Sequence, residues 1–489
     1  MKKWLMLIAM ISVMALLAGC GGGGATSSDW LSLDEDSADV AVSDDETTTT
    51  KKTAKKTSKK TTKGEEDSNV EEEPDETEST KSSRRTVATT KRSQSSSEKD
   101  GVFPVTPPMS IRQAAKSVVS GDYKKASKIK SDVYTVSPYD KNNAYTHHPG
   151  LTVFKDRLYF SYSCGALYED APGQQGVVRS APLNDLNNWS DPVVAAPCRK
   201  MENGKQSFII PGYLFVIGDT LYLTYMEKGY TLDAWDANGQ FKWQKEAGHG
   251  YHKVVYAYYR VIGTKDGVNW NIGPVDVRHA ANESPRKSKT GTWFAGAGNK
   301  LLTFTGKDQN KLDAFSWSHV GMTDEQYQNS ITREGVSMLT EASWYQTDDY
   351  VIHQMLRCHD GVVWMSESYD NGKSWTEAFP TNFKSDTTMA NFGNLPDGRY
   401  YAVANPEITY TPHRYPFCLY VSNDGYDFSK VYILRDEQKE PKDPATFNWT
   451  KIGAYAYPEV LVHGDYMYVA YSQFKEVMSL TRVKLSDIK

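Results

Sequence analysis

The stretch Ser368-Tyr369-Asp370-Asn371-Gly372-Lys373-Ser374-Trp375 constrains the fold of this chain more than any other. Its pattern, Ser-x-Asp-x-Gly-x-x-Trp, describes a tight hairpin. The carboxylate bonds backbone N–H groups of the turn, the glycine takes a left-handed conformation, and the indole packs beneath the next strand. Val362-Val363-Trp364-Met365-Ser366 before it is strand-like. Two weaker copies repeat the arrangement: Ser422-Asn423-Asp424-Gly425-Tyr426-Asp427-Phe428 and Thr264-Lys265-Asp266-Gly267-Val268-Asn269-Trp270. Such turns mark a fold rather than a catalytic group.

The rest of the carboxy-terminal part agrees with a chain of hairpins. One kind of strand recurs at Arg157-Leu158-Tyr159-Phe160-Ser161-Tyr162, Thr220-Leu221-Tyr222-Leu223-Thr224-Tyr225 and Lys300-Leu301-Leu302-Thr303-Phe304. It returns at Tyr350-Val351-Ile352-His353-Gln354, Arg399-Tyr400-Tyr401-Ala402-Val403 and Asp465-Tyr466-Met467-Tyr468-Val469-Ala470-Tyr471. Units spaced roughly 50 to 80 residues apart match four-stranded blades. Residues 132–489 are therefore expected to form an all-β, six-bladed β-propeller, with seven blades as the alternative because the second unit is long. Long amphipathic helices are missing. A net charge of −5 on the whole chain gives nucleic acid nothing to hold. Aromatic residues make up 12%, with 31 Tyr, which suits sugar stacking as well as a packed core. Cys164, Cys198, Cys358 and Cys418 show no Cys-x-x-Cys spacing, so neither a zinc nor a redox motif is indicated, and buried thiols are at least as well supported as bridges.

The amino-terminal end reads as an address. Met1-Lys2-Lys3 is basic, and Leu5 to Leu17 is apolar but short for a membrane span. Leu17-Ala18-Gly19-Cys20 matches the bacterial lipobox, which implies cleavage before Cys20 and lipidation of its thiol. Residues 1–20 are thus expected to be a lipoprotein signal peptide, and membrane attachment through Cys20 would place the protein in the bacterial cell envelope, at the outer membrane or cell surface. Residues 21–108 are rich in Thr, Ser, Lys and Glu with almost no apolar side chains, too little to offset chain entropy, and are expected to be a disordered tether. Residues 109–131 carry Ile111, Ala114, Ala115, Val118 and Val119 at helical spacing after Ser110, predicting a short helical lead-in.

Candidate site residues lie far apart in sequence, as a propeller requires. Glu341 opens the fourth unit and Arg357 follows sixteen residues later. Arg414 sits in His413-Arg414-Tyr415-Pro416, and Tyr457 in Ala454-Tyr455-Ala456-Tyr457-Pro458-Glu459. On this order and the Asp-box hairpins, residues 140–489 resemble the sialidase superfamily. The resemblance implies that Arg357 and Arg414 clamp a substrate carboxylate. It makes Tyr457 the nucleophile with Glu341 as its base, and it places Asp170 near the family's acid/base aspartate.

The first blade departs from that family. Where sialidases bring their first clamping arginine from an Arg-Ile-Pro stretch, this chain has Tyr145-Thr146-His147-His148-Pro149-Gly150. With Tyr168-Glu169-Asp170-Ala171-Pro172-Gly173-Gln174, this resembles propellers that cleave rhamnose from glucuronate, in which a first-blade histidine is implied to be catalytic. An imidazole titrates near neutrality, which suits removal of the proton beside a uronate carboxylate. Either His147 or His148 is expected to fill that role, and strand alternation allows only one of them to face the site. Glu169 and Gln174 are second-rank pocket residues. His249-Gly250-Tyr251-His252 and Asp276-Val277-Arg278-His279 are further polar clusters; neither is assigned a metal, and no cofactor is called for. The expected activity is cleavage of an acidic, sialic- or uronic-acid-containing glycan by hydrolysis or elimination. The alternatives are a non-catalytic glycan-binding propeller and an envelope scaffold for protein partners.

Overall fold

A computed structural model of the chain describes residues 118–489 apart from 243–253, 307–315, 408–413 and 443–452. The signal peptide, Cys20, the tether, His249, His252 and His413 lie outside the described residues.

The described residues form an all-β propeller of six sheets. The first runs Tyr145–Phe154, Arg157–Gly165, Gln175–Pro182, Val193–Ala196. The second runs Phe208–Ile217, Thr220–Tyr230, Val254–Thr264, Ile272–Val277. The fourth is built on Thr340–Gln346, Ile352–Arg357, Val362–Ser368 and Phe379–Lys384. The fifth is built on Asn391–Asn394, Tyr400–Ala404, Phe417–Ser422 and Lys430–Arg435. In the sixth, Ala456–His463, Tyr466–Gln473 and Val477–Lys484 are joined by Asp132–Ser137 from the other end of the domain. That antiparallel pairing ties the two ends of the ring with backbone hydrogen bonds.

The third sheet breaks the regularity expected from the even spacing of units. Its first strand, Arg286–Lys287, has two residues, followed by Trp293–Ala297, Lys300–Phe304 and Trp317–Val320. Instead of six equal blades, the described residues build five blades, the fourth and fifth of them widened by extra short strands, and this irregular sheet. After it comes a helix the sequence reading did not anticipate, α1 (Asp324–Glu334). Thr323 and Gln326 form a reciprocal capping box at its start, and Gly335 ends it in a left-handed conformation at φ 69°. The helix braces the fourth sheet: Gln326 Nε2 donates to Trp375 O at 2.7 Å, and Arg333 Nη2 to Ala378 O at 2.7 Å.

The helical lead-in is corrected where it can be seen. Val119–Ser120 and Ser127–Lys128 are short strands, with only a 3-10 turn, Tyr123–Lys125, between them. Val119 N donates to Tyr426 O at 2.9 Å and Ile129 N to Ile433 O at 3.2 Å. Open strand edges on the fourth and fifth sheets offer this segment backbone partners and bury Val118. Those tertiary bonds outweigh a helical spacing that is only a weak local preference.

The core lies between neighbouring sheets, and tyrosine supplies much of it: Tyr145, Tyr162, Tyr345, Tyr400, Tyr420, Tyr455 and Tyr471 are all fully buried. The four cysteines are free thiols. The three hairpin motifs share one geometry. In the first, Asp370 Oδ1 accepts from Lys373 N at 3.0 Å and Ser374 N at 2.9 Å. Gly372 stands at φ 86°, and the Trp375 indole donates to Gly372 O at 3.1 Å while packing in the core. Asp424 accepts from Tyr426 N and Asp427 N at 2.8 Å each, and Asp266 from Val268 N at 2.9 Å and Asn269 N at 2.7 Å.

If the carboxylate organises the turn, Asp370→Ala should lower unfolding stability by about 2 kcal/mol, the scale for losing charge-assisted hydrogen bonds. Urea denaturation checks this, and an unchanged midpoint would show the turn to be held by Gly372 and Trp375 alone.

Candidate functional site

A repeated backbone irregularity sets the site. In the first, second, fourth and sixth sheets the register between the first two strands shifts, at His147/Gly150, Pro211/Leu214, Thr340/Ser343 and Ala456/Glu459. A bulge inserts an extra residue and re-aims the side chains around it. His148 (φ 55°), Glu341 (φ 48°) and Tyr457 (φ 58°) occupy three of these bulges in left-handed conformation. Asp170 (φ 61°), Arg414 (φ 58°) and Lys475 (φ 54°) share that conformation. Left-handed backbone is costly for residues with a Cβ, and it gathers at functional sites.

Four of the candidate residues meet around one phenol. Tyr457 OH donates a hydrogen bond to Glu341 Oε1. Arg357 Nη1 donates to Glu341 Oε2 at 2.7 Å and to the Tyr457 oxygen at 3.1 Å. The Arg414 guanidinium lies 5.5 Å from the centre of the Tyr457 ring, within cation–π range. Its Nη1 is buried without a hydrogen-bond partner, while its backbone N–H is anchored on Asp386. Burial raises the Tyr457 phenol far above its ordinary range, and the neighbouring Glu341 charge adds to this. Burial would also raise Glu341, but Arg357 and the phenol hydrogen bond outweigh it and keep the carboxylate ionised below its usual range. The phenol is thus a poor nucleophile on its own, paired with a charged acceptor for its proton.

The first sheet adds a second group beside the same ring. The His147 and His148 ring centres lie 4.3 and 5.6 Å from that of Tyr457 and 4.5 Å from each other. Both imidazoles approach Glu169, Nε2 to Oε1, at 3.9 and 3.8 Å. The expectation that only one could face the site is corrected. It holds for a regular strand, whereas the bulge after His147 turns His148 to the same side. Burial holds both imidazoles neutral, with His148 lowered to about 4 and His147 well below its ordinary range.

Lys475 forms a close ion pair with Glu169 Oε2. Burial opposes the Glu169 charge, and Lys475 restores it below the usual carboxylate range. Burial, with the Glu169 charge behind it, lifts Asp170 to about 7. Gln174 lies behind this loop: it accepts from Asp170 N at 3.1 Å and donates to Ile209 O at 2.7 Å, which makes it a brace. Sequence reasoning missed Lys475, whose Gln473-Phe474-Lys475-Glu476 turn looks like an ordinary solvent hairpin, and Ser163. Asp276 and His279 stand apart from the site, with His279 against the His319 ring at 3.7 Å. Arg357, Arg414 and Lys475 oppose two firmly charged carboxylates, Glu341 and Glu169, so the site favours an anionic ligand.

Another buried polar layer is built on Glu283 and Glu459. Ser284 N donates to Glu459 Oε1 at 3.0 Å, and Ser343 Oγ to Glu283 Oε2 at 2.6 Å. Asn391 Nδ2 reaches both carboxylates at 3.4 Å, and Arg286 pairs with Glu283 at 3.0 Å. Burial, reinforced by the Glu283 charge, raises Glu459 to about 8.

Comparison with known proteins places a BNR repeat-like domain at residues 281–469. No curated protein matches the sequence. Among solved structures, a protein of unknown function from Dyadobacter fermentans superposes with a TM-score of 0.50 at 14% identity, over 72% of this chain and 99% of that one. A sialidase aligns at 16% identity with a TM-score of 0.47, over 75% of this chain and 35% of the sialidase, so this chain spans about a third of its length. Trypanosoma rangeli sialidase in complex with sialic acid aligns at 12% identity and a TM-score of 0.49, over 74% of this chain and 60% of that one. At these identities the likeness is one of fold.

The buried layer yields a pH test. Folded Glu459 keeps its proton to about pH 8, whereas an unfolded glutamate releases it near ~4.3. Between those values the folded state binds more protons, so this contribution is complete below the lower value and is lost as pH rises through the upper one. Glu459→Gln should remove that loss. Measured by urea denaturation, wild type should lose a few kcal/mol relative to the variant between about pH 5 and about pH 9. A constant difference would mean that Glu459 is already ionised in the fold.

Proposed function

We propose that this chain is a carbohydrate-active enzyme that cleaves the glycosidic bond of an acidic sugar, and that the lipobox at Cys20 and the segment after it hold it in a bacterial cell envelope, at the outer membrane or cell surface. The observation that carries the activity is the contact of Tyr457 with both Glu341 and Arg357. The sialidase resemblance read from the sequence and the BNR repeat-like match support glycan chemistry.

On this reading Arg357, Arg414 and Lys475 attract the sugar carboxylate, with the buried Nη1 of Arg414 open to it. Tyr457 gives its proton to Glu341 as its oxygen bonds to the anomeric carbon and the bond to the leaving oxygen breaks. Asp170 supplies the proton to that oxygen. Water, giving a proton back to Asp170, then displaces the tyrosine, which recovers its own proton from Glu341. A second reading, elimination across a uronate, is favoured by the buried His147 Nε2, which has no hydrogen-bond partner and lies beside Tyr457.

Mass spectrometry of products from sialosides and rhamnose-capped glucuronans separates the two. A product that gains water supports hydrolysis, an unsaturated uronate supports elimination, and binding without any product would leave a lectin-like propeller. Under hydrolysis, Tyr457→Phe should cut turnover by about 100-fold or more, with the melting temperature nearly unchanged because the buried ring remains. Full activity in that variant would remove Tyr457 from the chemistry.

A further inference from the structure

The His147–His148–Glu169 group holds an unresolved electrostatic conflict. Ser163 Oγ donates its one proton to the His147 carbonyl at 3.1 Å. It can therefore only accept from His148 Nδ1, 3.0 Å away. That fixes His148 as the Nδ1–H tautomer, with a lone pair on Nε2. This lone pair faces Glu169 Oε1, itself an acceptor, at 3.8 Å. His147 stands beside it. Its Nδ1 is engaged by Ser472 Oγ at 2.7 Å, and its fully buried Nε2 has no hydrogen-bond partner and lies 3.9 Å from the same oxygen. The other Glu169 oxygen is taken by Lys475. Two imidazole nitrogens and a carboxylate oxygen converge, all within 4.8 Å of one another, with no hydrogen bond between them.

A cation at that centre resolves the conflict. We propose that His147, His148 and Glu169 bind one divalent transition metal of the zinc class. Two imidazole nitrogens and one carboxylate oxygen suit such an ion, whereas calcium and magnesium call for oxygen-rich cages. Metal–ligand bonds of about 2.1 Å would hold tetrahedral ligand atoms about 3.4 Å apart, so each nitrogen-to-carboxylate distance would close by about half an ångström. The outer partners are in place: Ser163 and Ser472 orient the rings and Lys475 orients the carboxylate, the roles second-sphere groups fill around bound metals. His148 and Glu169 are each about a fifth exposed (19% and 22%), which leaves a side from which an ion or an anionic ligand can enter. Metal binding stands or falls apart from the proposed turnover, because it is read without a substrate.

The test uses the full-length protein, stripped with a chelator and titrated with Co²⁺ by visible absorption and with Zn²⁺ by calorimetry. The expected result is one equivalent of each and the absorption bands of a four- or five-coordinate cobalt site. Glu169→Gln and His148→Ala should abolish the cobalt bands, and Ser163→Ala should weaken binding by about 10-fold, as loss of an outer partner does. The His279–His319 pair offers other imidazoles, so His279→Ala serves as the control and should bind normally. Melting curves establish that each variant is folded. Failure of the folded wild type to bind one equivalent overturns the proposal. So does binding that survives Glu169→Gln and His148→Ala, or binding that disappears with His279→Ala.

Discussion

The site depends on a backbone irregularity at the entrance to the first strands. A regular strand sends neighbouring side chains to opposite faces. The bulges at His148, Glu341 and Tyr457 break that rule at three places around the ring. Each left-handed residue costs about 1–2 kcal/mol, and each is held by partners on its own side chain: Ser163 for His148, and Arg357 and Tyr457 for Glu341. The ladder on both sides of the bulge keeps the strand in register, and closure of the ring by Asp132–Ser137 keeps the sheets in place. Strain at the site is therefore sustained by a scaffold that is regular elsewhere.

The same economy shapes the electrostatics. Buried charges are costly unless paired, and the site answers with interlocking pairs: Arg357 with Glu341, and Lys475 with Glu169. Two groups beside these pairs stay unmet. Arg414 retains a buried N–H group with no partner, and Glu169 retains an oxygen that faces two imidazole nitrogens without a hydrogen bond. These two residues of unmet demand, one for an anion and one for a cation, mark where ligand chemistry enters.

Much of this was legible in the sequence, for identifiable reasons. The hairpins were readable because Asp370, Asp424 and Asp266 bond the backbone of their own turns. Glu341, Arg357, Arg414 and Tyr457 stood out as an ordered set of polar residues on a chain of strands. What escaped was non-local or nearly so. The pairing of His147 and His148 on one face follows from a bulge, which no alternation pattern encodes. Lys475 reaches the site only because its hairpin folds back onto a loop more than 300 residues away. Val118 and Val119 obeyed a helical spacing until open sheet edges offered them strand partners. Helix α1 is the instructive miss, since its Thr323–Gln326 box is a local signal. It was overlooked because the repeat of strands suggested that a strand should come next.

The second sheet shows that the bulge is a device of the fold and that its content is set by sequence. The register shifts there between Pro211 and Leu214, as in the site-bearing sheets, but the span holds Gly212. A Cβ at Gly212 would stand 2.5 Å from Thr224 Oγ1 and 2.7 Å from the Ala281 carbonyl, so no side chain fits. The same irregularity thus displays a histidine, a glutamate and a tyrosine at three positions and nothing at the fourth. A propeller of near-equivalent sheets gains an asymmetric site in this way, since the shared backbone supplies the pointing direction and the residue at each bulge decides whether anything is pointed. In the first sheet the bulge presents an imidazole for the same reason.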